Sequence, residues 1–241
     1  MKSLLLAVLL LLAACHRDEP RLSVGAAASL RTAMPEVVAA YEAKGGAHVD
    51  LLFGASDTLA KRLSAGAALD AVIVADEASL DDTLIAATSR RVIATNAIVL
   101  VGPAGSGIDF ARLPSLPAEA KLAIGDPAIV PVGRYARSYL QELGSWDRLQ
   151  PQLVLGGDVA GVLALAQKGT ARVAIVYKSD ATQAAPLVVL DEPANAPVAR
   201  ITAGAVASTS HRSEVDKFLA FLVSHEAQAI LQSHALGPPR P

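Results

Sequence analysis

The chain has 241 residues, of which 52% are hydrophobic and 18% charged, with a formal net charge of −2. That balance supplies an apolar core of ordinary size and excludes disorder as the main state. Aromatic residues are only 4% and no dense Lys/Arg run occurs, which argues against stacking platforms for sugars or single strands and against a nucleic-acid partner.

Met1-Lys2 precedes an unbroken apolar run, Leu4 to Ala14, well short of the roughly 20 residues needed for a membrane-spanning helix. A basic start, a short apolar stretch and small residues before a cut site describe an export signal, here residues 1–14. Leu12-Ala13-Ala14-Cys15 looks like a bacterial lipobox, in which the cysteine becomes the acylated N-terminus; the alternative is an ordinary secretory signal with a chance cysteine. Cys15 is the only cysteine, so an intramolecular disulfide is excluded, and no Cys/His zinc spacing exists. Loss of the signal takes Lys2 with it and leaves an acidic globule, exported and tethered to a membrane through residues 15–20.

From Arg21 onward, short apolar runs alternate with helical patterns, the signature of α/β architecture with parallel strands. Leu22–Ala27 reads as a strand, followed by a helix with Met34, Val37, Val38 and Tyr41 on one face and Gly45-Gly46 at its end. Val49–Phe53 is a second strand, Thr58–Leu63 a helix that stops near Gly66, and Ala71–Ala75 a continuous apolar strand of the buried parallel kind. Asp76 can cap a further helix through about Ala87. Two apolar runs then lie almost end to end, Val92–Ala94 and Ala97–Val101, with Thr95-Asn96 between them; this reads as the chain leaving one lobe and entering another.

The second stretch repeats the alternation: strand Leu122–Ile124, helices Tyr135–Leu143 and Val159–Gln167, strands Arg172–Tyr177 and Leu187–Leu190, and a loop at Pro193–Pro197. Val198–Val206 can cross back, and a final helix spans about Ser213–Ser233. The expected organisation is therefore two α/β lobes, one of residues 21–95 and 203–241 and one of residues 96–202, with a ligand cleft between them at the two crossings.

Three loops carry the atoms an anion needs. Ala26-Ala27-Ala28-Ser29-Leu30 lets a ligand approach the backbone and adds a hydroxyl near a helix start, where unpaired N–H groups and the positive dipole end lie. Ser29 as a plain N-cap is the competing reading, and Pro35 complicates both, because it places the regular helix near Met34 and leaves Ser29 in a preceding turn. Phe53-Gly54-Ala55-Ser56-Asp57-Thr58-Leu59 follows the same logic, with Ser56 or Asp57 as the cap. Gly125-Asp126-Pro127 through Val130-Pro131-Val132-Gly133 opens another helix; Asp158-Val159 opens one more, and Tyr177 ends a buried strand with a hydroxyl to place.

Taken together, these segments resemble periplasmic molybdate-binding proteins. The first lobe matches through Ala26–Leu30, Phe53–Leu59 and Asp70–Asp76. The second matches through Gly125-Asp126-Pro127, Val130-Pro131, Gly133, Tyr135-Ala136, Leu143-Gly144-Ser145-Trp146-Asp147 and Ile175–Asp180, so the likeness covers about Leu22 to Leu236. It implies the two-lobed type 2 periplasmic-binding-protein fold and a receptor, not an enzyme, that delivers molybdate or tungstate to an ABC permease in the inner membrane. It implies no cofactor and a monomer. It further implies ligand contacts from Ser29 and Ser56, from the backbone N–H groups of Val132 and Val159, and from the phenol of Tyr177. A doubly charged tetrahedral oxyanion would then be held by neutral donors and helix dipoles, and a smaller sulfate would leave some donors unpaired.

Two positions depart from that family's pattern: Asp57 stands where a small neutral residue is usual, and Val132 where alanine is. Arg31, Arg134 and Lys178 lie one or two residues beyond Ser29, Val132 and Tyr177; they read either as a basic rim offsetting Asp57 and Asp158 or as solvated surface charges. A receptor for another tetrahedral oxyanion such as sulfate is the nearest rival. A serine hydrolase is more distant, since His16, His48, His211, His225 and His234 sit in no motif with Ser29 or Ser56, and no G-x-S-x-G elbow occurs. A metal receptor would have to begin from Tyr177 with Asp57.

Overall fold

Strands whose residues are apolar at every position belong inside a sheet with neighbours on both edges. In the computed structural model, which describes residues 21–239 apart from Asp76, Asp81 and Asp82, this is where those runs lie. Every residue of β3 (Ala71–Val74), β5 (Leu122–Gly125) and β7 (Val173–Tyr177) is buried. The export signal, Cys15 and the tether lie outside the described residues. Among those described, no helix is long and apolar enough to cross a membrane.

The remaining strands are β1 (Arg21–Ala27), β2 (His48–Gly54), β4 (Arg91–Gly102), β6 (Leu153–Gly156), β8 (Val188–Asp191) and β9 (Val198–Ala205). Their order is β2-β1-β3-β9-β4-β7-β5-β6, with β8 added to β4. Parallel pairing joins β1 to β2 and β3 on one side, and β5 to β6 and β7 on the other. The two antiparallel crossing strands join these halves: β4 pairs with β9 over Arg91–Ala97 and with β7 over Ile98–Val101.

The two apolar runs around Thr95-Asn96 are thus one strand that belongs to both halves. Asn96 is 1% exposed, and its amide explains how a polar residue survives there. Its Nδ2 donates to Ser179 Oγ at 2.8 Å, the Ser179 N–H donates back to its Oδ1 at 3.3 Å, and Ser179 Oγ donates to the Ser29 carbonyl at 3.4 Å.

The helices are α1 (Met34–Ala43), α2 (Ser56–Ser64), α3 (Pro131–Glu142), α4 (Trp146–Leu149), α5 (Val159–Gln167), α6 (Lys178–Ala181), α7 (Arg212–Leu222) and α8 (His225–Ser233). Pro35 sits in the first turn of α1, and the apolar face Met34, Val37, Val38, Tyr41 is buried as its spacing predicts. Several expectations need correction. The helix expected from Asp76 to about Ala87 is not found among the described residues: Asp76, Asp81 and Asp82 lie outside them, and the described part of the segment holds short 3₁₀ turns at Glu77–Ser79 and Ala87–Ser89. Its backbone bonds go to the sheet instead, through an Ile85–Val206 bridge and the Ala86 N–H donating to Ala205 O. The long C-terminal helix is two helices, because the Ser224 hydroxyl accepts the Ala227 N–H and starts α8 afresh. Strand β6 and helix α4 fall where no element was expected.

Two glycines set how closely helices meet strand ends. A Cβ on Gly133 would lie 2.0 Å from the Gly125 carbonyl oxygen, so α3 packs with its backbone directly on the end of β5. A Cβ on Gly156 would lie 2.7 Å from the Val162 nitrogen, which does the same for α5 on β6. The Asp126 N–H donates to the Gly156 carbonyl at 2.9 Å and ties the two loops together. Gly133→Ala must therefore push α3 off the sheet; overpacking of this kind costs about 1–3 kcal/mol. Its urea midpoint is expected to fall accordingly, and an unchanged midpoint would show that α3 can slide freely.

Candidate functional site

The halves of the sheet face each other across a cavity of about 20 Å³ lined by Ala27, Ala28, Ser29, Ala55, Ser56, Ala75, Val130, Pro131, Val132, Asp158, Val159 and Tyr177. All five residues expected to contact a ligand, Ser29, Ser56, Val132, Val159 and Tyr177, are on its wall. Pockets for organic substrates run to hundreds of Å³, so this one has room only for a compact ion. Of the other wall residues, Val130 and Pro131 belong to the third loop already read as suited to an anion, and Ala75 follows the apolar run of β3.

Four of the five lie at the start of a helix or 3₁₀ turn and the fifth, Tyr177, at the end of a strand. The first turn of α1 is delayed to Met34, so Ser29 sits in a 3₁₀ turn, Ala28–Leu30, directly after β1, and does not cap α1. Its hydroxyl is buried and has no hydrogen-bond partner among the described residues, an expensive condition for a polar atom unless a ligand answers it. Ser56 is the first residue of α2, where neither it nor Asp57 acts as the cap; that position is Ala55. The Ser56 Oγ accepts the Ala75 N–H at 3.0 Å, which fixes the oxygen and leaves its own proton to donate.

Val132 is the second residue of α3 and Val159 the first of α5. N–H groups in the first turn of a helix have no acceptor within it, and the helix dipole makes that end positive. Asp158 caps α5 by accepting the Gly161 N–H at 2.7 Å, so its carboxylate is engaged although the residue lines the cavity. Tyr177, 1% exposed, ends β7 and packs its ring edge-on against Tyr135 at 6.3 Å between centroids.

No cationic side chain lines this cavity among the described residues. The basic-rim expectation holds in part: Arg134 offsets Asp57 as that reading had it, while Arg31 and Lys178 are engaged with other residues. Arg31 lies over the Phe53 ring at 4.9 Å, Lys178 pairs with Glu192 at 2.6 Å, and Arg134 pairs with Asp57 at 3.0 Å. Asp57 does not line the cavity. Burial pushes its carboxyl up, but hydrogen bonds from Arg134 and Ser79 outweigh that and hold it below the usual carboxylate range. A metal set built on Tyr177 and Asp57 fails for the same reason, and among the described residues no group of three His, Cys, Asp or Glu could hold a metal ion. No histidine stands on the wall to activate Ser29 or Ser56.

Behind Ala28 and Val159 lies a second recess of about 220 Å³, also lined by Arg31, Asp158 and Asp180. Burial, reinforced by the charge of Asp158, pushes the Asp180 carboxyl up to about 7. Asp180 closes the Ile175–Asp180 segment matched above, but its burial beside Asp158 is set by tertiary packing that no local pattern shows.

The model of the family described as bacterial extracellular solute-binding protein matches residues 22–235. The molybdate-binding protein ModA of Escherichia coli is 39% identical over 174 residues, 68% of each chain. The ModA of Haemophilus influenzae is 30% identical over 230 residues, 90% of each chain. The solved periplasmic molybdate-binding protein of Azotobacter vinelandii superposes with a TM-score of 0.80 at 22% identity, covering 91% of this chain and 100% of that one, which establishes the two-lobed fold.

Because the folded Asp180 binds a proton up to about pH 7 and the unfolded one only up to its ordinary value of 3.8, stability is expected to fall as pH rises between those values and to level off above them. Asp180→Asn removes this slope. Urea midpoints at pH 5 and pH 8 should converge in the variant, and the variant should be the more stable protein at pH 8.

Proposed function

The chain belongs to the bacterial extracellular solute-binding proteins, and we propose that its cargo is molybdate, with tungstate as a second ligand. It binds its solute without chemistry and needs no cofactor. The observation that carries the cargo is the cavity itself. Ser29, Ser56, Val132, Val159 and Tyr177 converge on a space of ion size, with the buried Ser29 hydroxyl lacking a partner. Neutral donors at fixed positions on both halves of the sheet suit a tetrahedral dianion, which presents an acceptor oxygen in each direction. The names of the E. coli and H. influenzae relatives support the same choice of ligand.

In this reading lobe 1 comprises residues 21–95 and 203–241 and lobe 2 residues 96–202. They hinge where β4 and β9 cross, near Thr95-Asn96 and Ala199–Thr202. The closed, monomeric receptor hands its anion to an ABC permease in the inner membrane. The signal and Cys15 would keep it on the outer side of that membrane by a lipid anchor. The chain's net negative charge cannot draw an anion in, so affinity comes from local dipoles once the anion is in the cleft.

Calorimetric titration of a soluble form beginning at His16 with molybdate, tungstate, sulfate and phosphate tests the reading. One-to-one binding of the first two with the others silent is expected. Binding of sulfate or phosphate alone would reassign the cargo, and silence from all four would refute the oxyanion site. Ser29→Ala, which removes a hydrogen bond to a charged ligand, is expected to weaken molybdate binding about tenfold to a hundredfold while leaving the melting temperature nearly unchanged.

A further inference from the structure

We propose that Asp57 and Arg134 form a clasp across the cleft that holds the two halves closed on the anion and sets how long it stays. The proposal rests on the cavity being an oxyanion site. Asp57 follows Ser56 at the start of α2, in the half built on β1, β2 and β3. Arg134 lies two residues after Val132 at the start of α3, in the half built on β5, β6 and β7. The pair therefore joins the helix starts that carry donors on opposite sides of the cavity, and does so through elements separate from the crossing strands β4 and β9.

The contact is a fork. Arg134 Nη1 donates to Asp57 Oδ2 at 3.0 Å, Nη2 donates to Oδ1 at 3.3 Å, and the Ser79 hydroxyl donates to Oδ1 at 2.6 Å. Forked Arg–carboxylate pairs are directional as well as charged, so they define one relative placement of their two elements. The Asp57 and Arg134 side chains are 24% and 33% exposed. That shields the pair from solvent more than an open surface ion pair, yet leaves it able to part when the cleft opens. Lys61 is a further charge felt by Asp57. The pair is neutral as a whole, and so acts on the anion as a dipole without net charge while it is formed.

A clasp and a simple field effect predict opposite signs for one substitution. Removing the Asp57 carboxylate beside a dianion should slow ligand release if only charge mattered, and should speed it if the contact holds the cleft shut. The experiment is the molybdate dissociation rate of the purified protein by rapid mixing, for wild type, Asp57→Ala, Arg134→Ala and the exchange Asp57→Arg with Arg134→Asp. Both single substitutions are expected to raise the rate about fivefold to tenfold at low salt. The exchange should recover most of it, and 1 M salt should narrow the gap. Slower release from Asp57→Ala, or rates within twofold of wild type for both single variants, would overturn the clasp. Small-angle scattering of the ligand-free proteins gives a reading that needs no anion. Arg134→Ala should have the larger radius of gyration, and an unchanged radius overturns the clasp. Should wild type bind no oxyanion at all, the proposed function fails and the scattering alone decides the clasp.

Discussion

The gathering of several helix starts around one small cavity is the constraint around which this fold is arranged. The first N–H groups of any helix lack intrahelical acceptors, and ordinarily they face water or a capping side chain. Here the starts of α2, α3 and α5 and the 3₁₀ turn at Ser29 are brought against one small cavity, where bulk water has little access. A group of neutral donors turned inward is unfavourable when empty and favourable when an anion fills it. The difference between those two conditions is what a receptor can convert into affinity.

Bringing those starts together requires tight geometry far from the ligand. The Gly125–Gly133 contact lets the backbone of α3 rest on β5 with no side chain between them, and Gly156 does the same beneath α5. A shift of an ångström at either place would displace Val132 or Val159 on the cavity wall. On the opposite side the Ser29 carbonyl accepts from Ser179, which is itself held by Asn96 in the crossing strand. The loop that carries the Ser29 hydroxyl is thus tied to the place where the halves join. A hinge motion about β4 and β9 would be felt directly at the site, because the same buried network belongs to both.

Much of this was legible in the sequence because small residues and serines after apolar runs have few other reasons to recur in that order. The spacing of Met34, Val37, Val38 and Tyr41 identified α1, and Pro35 placed Ser29 outside it. What failed, failed where local pattern was overruled by long-range pairing. The Asp76–Ala87 stretch looks helical by itself, yet Ile85 bridges Val206 and the Ala86 N–H donates to Ala205 at the end of β9. Ser224 split the C-terminal helix although the apolar spacing continues through it. Asp57 shares the reading of a cap with Ser56, yet it pairs with Arg134, 77 positions away, a contact that spacing along one helix cannot show and that the basic-rim reading offered only as a general offset.

That pair also bears on how a carboxylate can stand next to a site proposed to hold a dianion. An unpaired Asp57 beside Ser56 would repel the ligand at close range, where screening by water and salt is weakest. A guanidinium turned toward the cavity would cure this, but it would also attract any small anion and so erode discrimination between oxyanions of equal charge. Pairing Arg134 with Asp57 leaves no net charge beside the proposed ligand, and discrimination then falls mainly to the spacing of neutral donors. Spacing distinguishes ions by size, which charge cannot do. The Val132 side chain fills part of the wall that a smaller residue would leave open, and its N–H is unaffected. The cost is that the cage keeps its proportions only while the two helix starts stay in register, a condition that the forked contact between them is well placed to enforce.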